Sequence, residues 1–491
     1  MGKMLHILRR DCRLISLVAC FTLLLAGVVF GASIKEGVNL YKQGKLDEAI
    51  VVMQKVAGDN PKDSTSRRWL GFFLLKKSNY KDALTVLQEA RELGADGNEL
   101  RNNLGMSYTG LKEYKKAVVE LEEAVKLRKD SSESYNNLGH AYLKLRQYDK
   151  SIEAYTKAVA LAPKDGTIAN DYGTALRDAG KIDDATAQFK KAAELAPTNV
   201  DPPLNLGWTL KTKKNYPAAQ AAFEQALTLA PNNYSAHIGL ADVLAALGST
   251  DKALAQYEAA AKIDPDQFAP NYNRGALYSK QGKYGKAVEA FEAALKASPD
   301  DVETITYLGW AQFKSDNPKD GIANLTLATQ KDPKFLAAWL DLATACTVGD
   351  KPEQAIAAWQ GVLKISPNNA GAATNLGNLY LRVGQADKAL AQYAAAAKID
   401  PKSSEAAFGQ AAALSKLGRT DEAMAQYKKV IEMNPKMSDA YNNLGVELEK
   451  KGRIDDAKEQ YKKALEADPK NNDAKRNLDR FGGPSESGVV G

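Results

Sequence analysis

The sequence predicts an all-α protein built from thirteen stacked helical hairpins, and three columns of residues predict it. Prolines fall at 163, 197, 231, 265, 299, 333, 367, 401, 435 and 469, always 34 residues apart. Extended backwards, the grid meets Pro61 and is broken only at Lys129 and Ala95. Eleven of the eighteen prolines therefore share one thirteen-point grid, which is the signature of a repeat array rather than of several globular domains. Twenty-four residues before each point stands a glycine, as at Gly105, Gly139, Gly173 and Gly309, or an alanine at Ala241, Ala343 and Ala411. Twelve before, the column is alanine except at Ser151 and Gly321; eight before, it is mostly large and apolar, as at Tyr155, Phe189, Phe291, Trp359 and Tyr461.

Each column has a mechanical meaning. A glycine removes the side chain that would hold two helix axes apart, and the alanine does the same from the facing helix without glycine's roughly 1 kcal/mol helix penalty. The large residue fills the space around the crossing. Proline stops the second helix, because the residue before it is pushed out of the helical region. Polar residues just after it can cap the next helix, as in Asp130-Ser131-Ser132-Glu133 and Lys402-Ser403-Ser404-Glu405.

Ahead of the repeats, residues 1–13 carry Lys3, Arg9, Arg10 and Arg13, residues 14–30 are apolar, and Gly31, Ala32 and Ser33 are small. This order predicts a bacterial-type signal peptide or signal anchor over residues 1–32, with the basic flank left in the cytoplasm and the rest exported to the periplasm or cell envelope. The apolar run reaches only the lower limit for a spanning helix, so residues 14–30 are read either as a cleaved signal or as a membrane anchor. Leu17-Val18-Ala19-Cys20 also offers a lipidation motif, although its apolar lead is short.

The repeat pattern, with elements such as Tyr135-Asn136-Asn137-Leu138-Gly139, resembles the tetratricopeptide repeat family over residues 30–471. The resemblance implies a right-handed superhelical solenoid of helix-turn-helix repeats, each helix of about 13 residues and so about 20 Å long, with a concave groove lined by the first helix of each repeat. Residues 472–481 read as a C-terminal capping helix and 482–491 as a disordered tail. Repeat 1 starts with no capping helix before it, which predicts that this end docks on the membrane or on a second copy.

The family also implies that the sixth position of each repeat faces the groove. That column holds Asn103, Asn137, Asn205, Asn273, Asn375 and Asn443, with Asp171 and Asp341 in two further repeats. A carboxamide both donates and accepts, so such a ladder can hold an extended peptide by its backbone; it is similar to the asparagine ladder in the repeat arm of O-linked N-acetylglucosamine transferase. The plainer reading is that these side chains cap a neighbouring carbonyl or merely suit the family consensus. A second groove candidate is aromatic: Trp208 and Trp310 at the ninth position, Phe313 at the twelfth, Tyr307 at the sixth, with Trp339 one repeat further on. Packing between repeats is their alternative role. Repeats 9 and 10 depart most from the pattern, through Gln312, Gly321 and Cys346. Cations at the thirteenth position, such as Lys144, Lys314 and Arg382, suit a helix C-terminus. The basic clamp of chaperone-binding relatives is not matched, since the second and fifth positions carry residues such as Glu133, Glu405, Asn102 and Asn136.

Composition narrows the function further. Of the formal net charge of +6, the first 32 residues supply +3 (four cations against Asp11), so the rest is nearly balanced and no nucleic-acid partner is expected. Cys12, Cys20 and Cys346 leave one thiol in a processed chain, and His6, His140 and His237 are far apart, so no metal, cofactor or catalytic residue is expected. No phosphate-binding glycine loop or triad is present. The expected function is a non-catalytic scaffold or adaptor of the cell envelope that binds other proteins or extended peptide segments, with self-association open. The alternatives are an accessory arm that recruits a separately encoded glycan, cell-wall or secretion enzyme and, remotely, an O-linked sugar transferase, for which only about 20 residues remain after the repeats.

Overall fold

The computed structural model describes residues 32–481, and the regular structure there is entirely helical, twenty-seven helices with no strand among the described residues. The expected export segment (apart from residue 32) and the expected tail 482–491 lie outside the described residues.

Local chemistry explains where the helices begin and end. In repeat 4 the first helix, Ser132–Lys144, is capped by Ser131, whose hydroxyl accepts from the Ser134 amide at 3.2 Å. The second, Tyr148–Leu161, stops where Ala162, held before Pro163, adopts φ −130° and ψ 68°. Asp63, Asp165, Asn233, Asp301, Asn369, Ser403 and Asn471 cap first helices from the same column, each such cap contributing about 1 kcal/mol. Proline is sufficient but not necessary for the stop: in repeat 3 the second helix, Tyr114–Leu127, ends in register although Lys129 stands in the proline column.

Within each hairpin the chain reverses through a left-handed residue at the fifteenth position. It is glycine in seven repeats and Ser78, Lys112, Arg146, Lys214 or Asp350 in five. Repeat 9 reverses differently. Ser315 is extended at φ −95° and ψ −163°, and Asn317 caps a second helix that opens on Pro318.

The small-residue columns form the crossing. A Cβ added at Gly139 would lie 2.8 Å from the Tyr155 ring, so the aromatic sixteen residues later occupies the place of the missing side chain. The facing alanines, from Ala49 to Ala457, are fully buried. Ser151, the polar exception, donates its hydroxyl to the Gly139 carbonyl at 2.7 Å and so leaves no unsatisfied group. Gly321, the other exception, brings two backbones together: a Cβ there would meet Phe313 N at 2.5 Å and Gly309 O at 2.7 Å.

By its contacts the chain divides into two compact bodies, one ending at Gln256 and one starting at Tyr257. The first holds repeats 1–6 and most of repeat 7, the second repeats 8–13 and the closing helix Asn472–Asp479. In the first body the first helices of successive repeats touch one another as well as their own partners; no two second helices approach comparably. The same holds for repeats 8, 9 and 10 in the second body. Within each body the first helices therefore crowd on the inner side of the stack.

Candidate peptide-binding face

The sixth position lies on this inner side, above the large residue that the previous repeat sends up from its second helix. The Tyr307 ring stacks on Phe291 of repeat 8, with centroids 5.9 Å apart and planes at 20°. Asn443 reaches the hydroxyl of Tyr427 in repeat 12 at 3.4 Å. Where repeat 12 has Gly409 at this position, a Cβ would strike the Tyr393 ring at 2.2 Å. The column is thus both floor and junction between repeats.

In repeats 4 to 6 the polar side chains of this column bond to the fifth position of the repeat before. Asn137 donates to Asn102 Oδ1 at 2.9 Å, Asn136 to Asp171 Oδ2 at 3.4 Å, and Asn205 to Asn170 Oδ1 at 3.0 Å. Each rung joins residues 35 apart, one repeat plus one position. A fourth rung, Asn477 to Asn442 at 2.8 Å, fastens the closing helix. Asn137 and Asn205 thus pair with side chains of the repeat before rather than capping a neighbouring carbonyl, and each keeps further donor and acceptor capacity. Asn103 makes no side-chain hydrogen bond among the described residues.

In repeats 8 to 11 the rungs are missing, and the fifth position shows why. It holds Tyr272, Thr306, Leu340 and Thr374. Thr306 and Thr374 donate back to their own helices, to Val302 O at 2.8 Å and Ala370 O at 3.0 Å, and the Tyr272 hydroxyl donates to Glu303 Oε1 at 2.8 Å. Thirty-five residues before Asn273 and Asn375 stand Ile238 and Leu340, which offer no polar group, and neither asparagine has a side-chain partner among the described residues. Asp341 has none either, and burial pushes its carboxyl up to about 6. The large residue beneath it is Leu325, which offers no donor.

The aromatic candidates Trp208, Trp310, Phe313 and Trp339 are half-buried and engaged. Trp208 meets Phe223 edge-on at 5.3 Å, donates to Ser235 Oγ at 3.1 Å and lies beneath the Lys211 ammonium, which pairs with Asp242. Trp310 stacks on Phe313 at 5.7 Å, and both pack with Trp339 against the core of repeats 9 to 11. Gln312, unusual for its column, is buried and accepts from Asn324 at 2.7 Å. Cys346 is fully buried, which pushes its thiol up to about 11. Burial and Lys144 lower His140, and His237 is occupied by Gln256 Oε1 and Pro231 O. Among the described residues no group of His, Cys, Asp and Glu is placed to hold a metal ion, and no helix is long and apolar enough to cross a membrane.

Two features escaped sequence reasoning. The rungs were signalled by the doublets Asn102-Asn103, Asn136-Asn137, Asn170-Asp171 and Asn442-Asn443, one repeat apart, which place a fifth-position carboxamide beside a sixth-position one in the next repeat. Tyr272 and Glu303 carried no signal, because only the fold brings them beside Tyr307.

These features define a helical-hairpin repeat protein that presents, within each body, a face of first helices. The chain belongs to the tetratricopeptide repeat family. Tetratricopeptide repeat models match residues 40–102, 132–165, 204–268, 271–301, 374–438 and 438–471, and a TPR repeat model matches 105–146. No curated protein matches the chain. Among solved structures it is similar to YrrB, described as a TPR protein with an unusual peptide-binding site (24% identity, 38% of this chain and 96% of that one, TM-score 0.34). It is also similar to PilF of Pseudomonas aeruginosa (20% identity, 42% and 94%, TM-score 0.38) and to a chain of the APC/C hetero-tetramer Cut9–Hcn1 (15% identity, 90% and 94%, TM-score 0.39).

Proposed function

We propose that the protein is a non-catalytic scaffold or adaptor of the cell envelope, which holds an extended segment of another protein along the inner face of its first helices. The observation that carries this reading is the set of polar side chains on that face left without partners: Asn103, Asn273 and Asn375. Uncommitted carboxamides on the inner face of each body, Asn103 in the first and Asn273 and Asn375 in the second, match the alternating donors and acceptors of an extended backbone. Each contact adds only about 1 kcal/mol, so holding rests on several together. The basic and apolar pattern of residues 1–32 supports export, and a chain that is repeat nearly throughout supports assembly rather than turnover.

The test is a peptide array probed with the purified full chain and with the triple variant Asn103→Ala, Asn273→Ala, Asn375→Ala. The expected result is binding to a subset of peptides and a fall of about tenfold or more in the variant, with its melting temperature unchanged. Equal binding by both proteins, or no binding by either, overturns the reading.

A further inference from the structure

The inner face of repeats 8 to 10 differs from the rest in chemistry as well as in its missing rungs. Phe268 and Tyr272 stack at 5.2 Å, and Tyr272 and Tyr307 lie 6.1 Å apart on first helices Phe268–Lys280 and Val302–Lys314. Tyr307 is 40% exposed, a high value for a tyrosine packed on another ring. Two carboxylates border these rings. Glu303 accepts from the Tyr272 hydroxyl, and Asp341 stands at the position of Tyr307 on the next first helix, Leu336–Val348 of repeat 10, which touches Val302–Lys314. Burial and then Glu303 hold the Tyr307 phenol above the ordinary range, with Asp341 adding least.

No cation answers them. Neither Glu303 nor Asp341 takes part in an ion pair among the described residues, although the fold makes many elsewhere. At the second, sixth and ninth positions of repeats 8 to 11, which follow one side of a helix, Glu303 and Asp341 are the only charged residues. The cations of these helices are Lys280, Lys314 and Arg382 at the thirteenth position, at the far end, and Arg274 at the seventh position of repeat 8, whose guanidinium donates to Asn271 Oδ1 at 3.2 Å and joins no ion pair with Glu303 or Asp341. The Lys314 ammonium is already placed over the Trp310 ring, 5.9 Å from its centroid, and Arg382 pairs with Asp350.

A half-buried carboxylate without donor or counter-ion costs the fold unless something supplies the charge. An exposed tyrosine ring beside it offers a negative π face to the same visitor. We propose that Tyr272, Glu303, Tyr307 and Asp341 form a receptor for a basic side chain, an arginine or lysine, carried by the extended segment of the partner protein. This rests on the reading that the face holds a peptide, and it adds a charge requirement at one place along it. The stem of the basic residue covers Tyr307, while its head donates hydrogen bonds to Asp341 on one side and faces Glu303 on the other. A planar guanidinium suits the ring and both carboxylates better than an ammonium does. An acidic or neutral residue at that height leaves Asp341 unpaired.

The test measures fluorescence polarisation of short labelled peptides, identical except for a central Arg, Lys, Gln or Glu, with the full chain at low salt. The variants are Asp341→Asn and Glu303→Gln, which keep shape and remove charge, and Asn375→Ala as a comparator outside the receptor. Wild-type protein is expected to prefer Arg over Gln by about tenfold, with Lys between and Glu weakest. Asp341→Asn should abolish most of that preference, and Asn375→Ala should weaken all peptides alike while keeping it. Binding that ignores the central residue, or a preference that survives both charge-removing variants, overturns the receptor and leaves the peptide-holding face standing. Failure of every peptide to bind overturns both.

Discussion

Repeats 3 to 6 and repeats 8 to 11 share one hairpin and use its inner face in opposite ways. In the first group, neighbouring repeats bond to each other through their carboxamides, so the polar groups that define the face are spent on holding the stack. In the second, the fifth position is Tyr, Thr or Leu, the threonines bond to their own helices, and Asn273, Asp341 and Asn375 at the sixth position have no side-chain partner among the described residues. One residue type can thus be structural in one stretch and available for binding in another. What decides is its neighbour 35 residues earlier.

The largest expected effect tests how closely the helices of repeat 9 approach. Gly321→Ala restores the alanine of eleven other repeats and would gain about 1 kcal/mol of helix propensity. In repeat 9, however, the new Cβ meets the backbone atoms Phe313 N and Gly309 O, which cannot rotate away. Overpacking of this kind costs about 1 to 3 kcal/mol, so the consensus residue should destabilise. Hydrogen exchange of repeat 9 amides should quicken, with distant repeats unaffected because the array couples mainly neighbours. Slower exchange would show that the two helices stand further apart than in repeat 4.

The next effect addresses the rungs directly. Asn137→Ala removes the donor to Asn102, whose side chain is buried, and should cost about 1 to 2 kcal/mol in chemical denaturation. Asn375→Ala, at the same position but exposed and unpartnered, should change stability by less than about 0.5 kcal/mol. Equal losses would erase the distinction between the two groups of repeats.

How much of this was legible in the sequence follows from what each residue interacts with. The hairpin is specified inside one repeat by Gly139 against Tyr155 and by a stop before Pro163, so period and fold class could be read from the columns. The column facing inward was also readable, because the family pattern fixes its phase. What could not be read was the use of each residue. Asn137 and Asn375 are the same residue at the same position, and they differ only in whether the previous repeat offers Asn102 or Leu340. Repeat 9 shows the same limit: Gly321 read as a departure that marks a kink, a specific site or drift, and its effect lies in the contact with the backbone of Phe313.

The smallest effect compares the two acids of the sixth position, Asp171 and Asp341. Burial is the leading cause of a raised carboxyl in both, but in Asp171 hydrogen bonds from Asn136 and Asn170 oppose it. Asp341 has no such help and is pushed from 3.8 to about 6. Between those values the folded chain keeps a proton that the unfolded chain has released, so stability falls as pH rises from about 4 to about 6. Above that window the ionised, unpaired Asp341 is a standing cost; below it the cost is absent. Tyr307, the titratable group facing it, is itself held above the ordinary phenol range and stays neutral throughout, so it does not confuse the profile. Asp341→Asn should therefore raise the melting temperature modestly at pH 7.5, leave it unchanged near pH 4, and flatten the slope between. Asp171→Asn should gain less, because a rung already answers that carboxylate. If the two substitutions give the same pH profile, the rungs do not distinguish the two acids, and the contrast between the two stretches of the face fails at its electrostatic end.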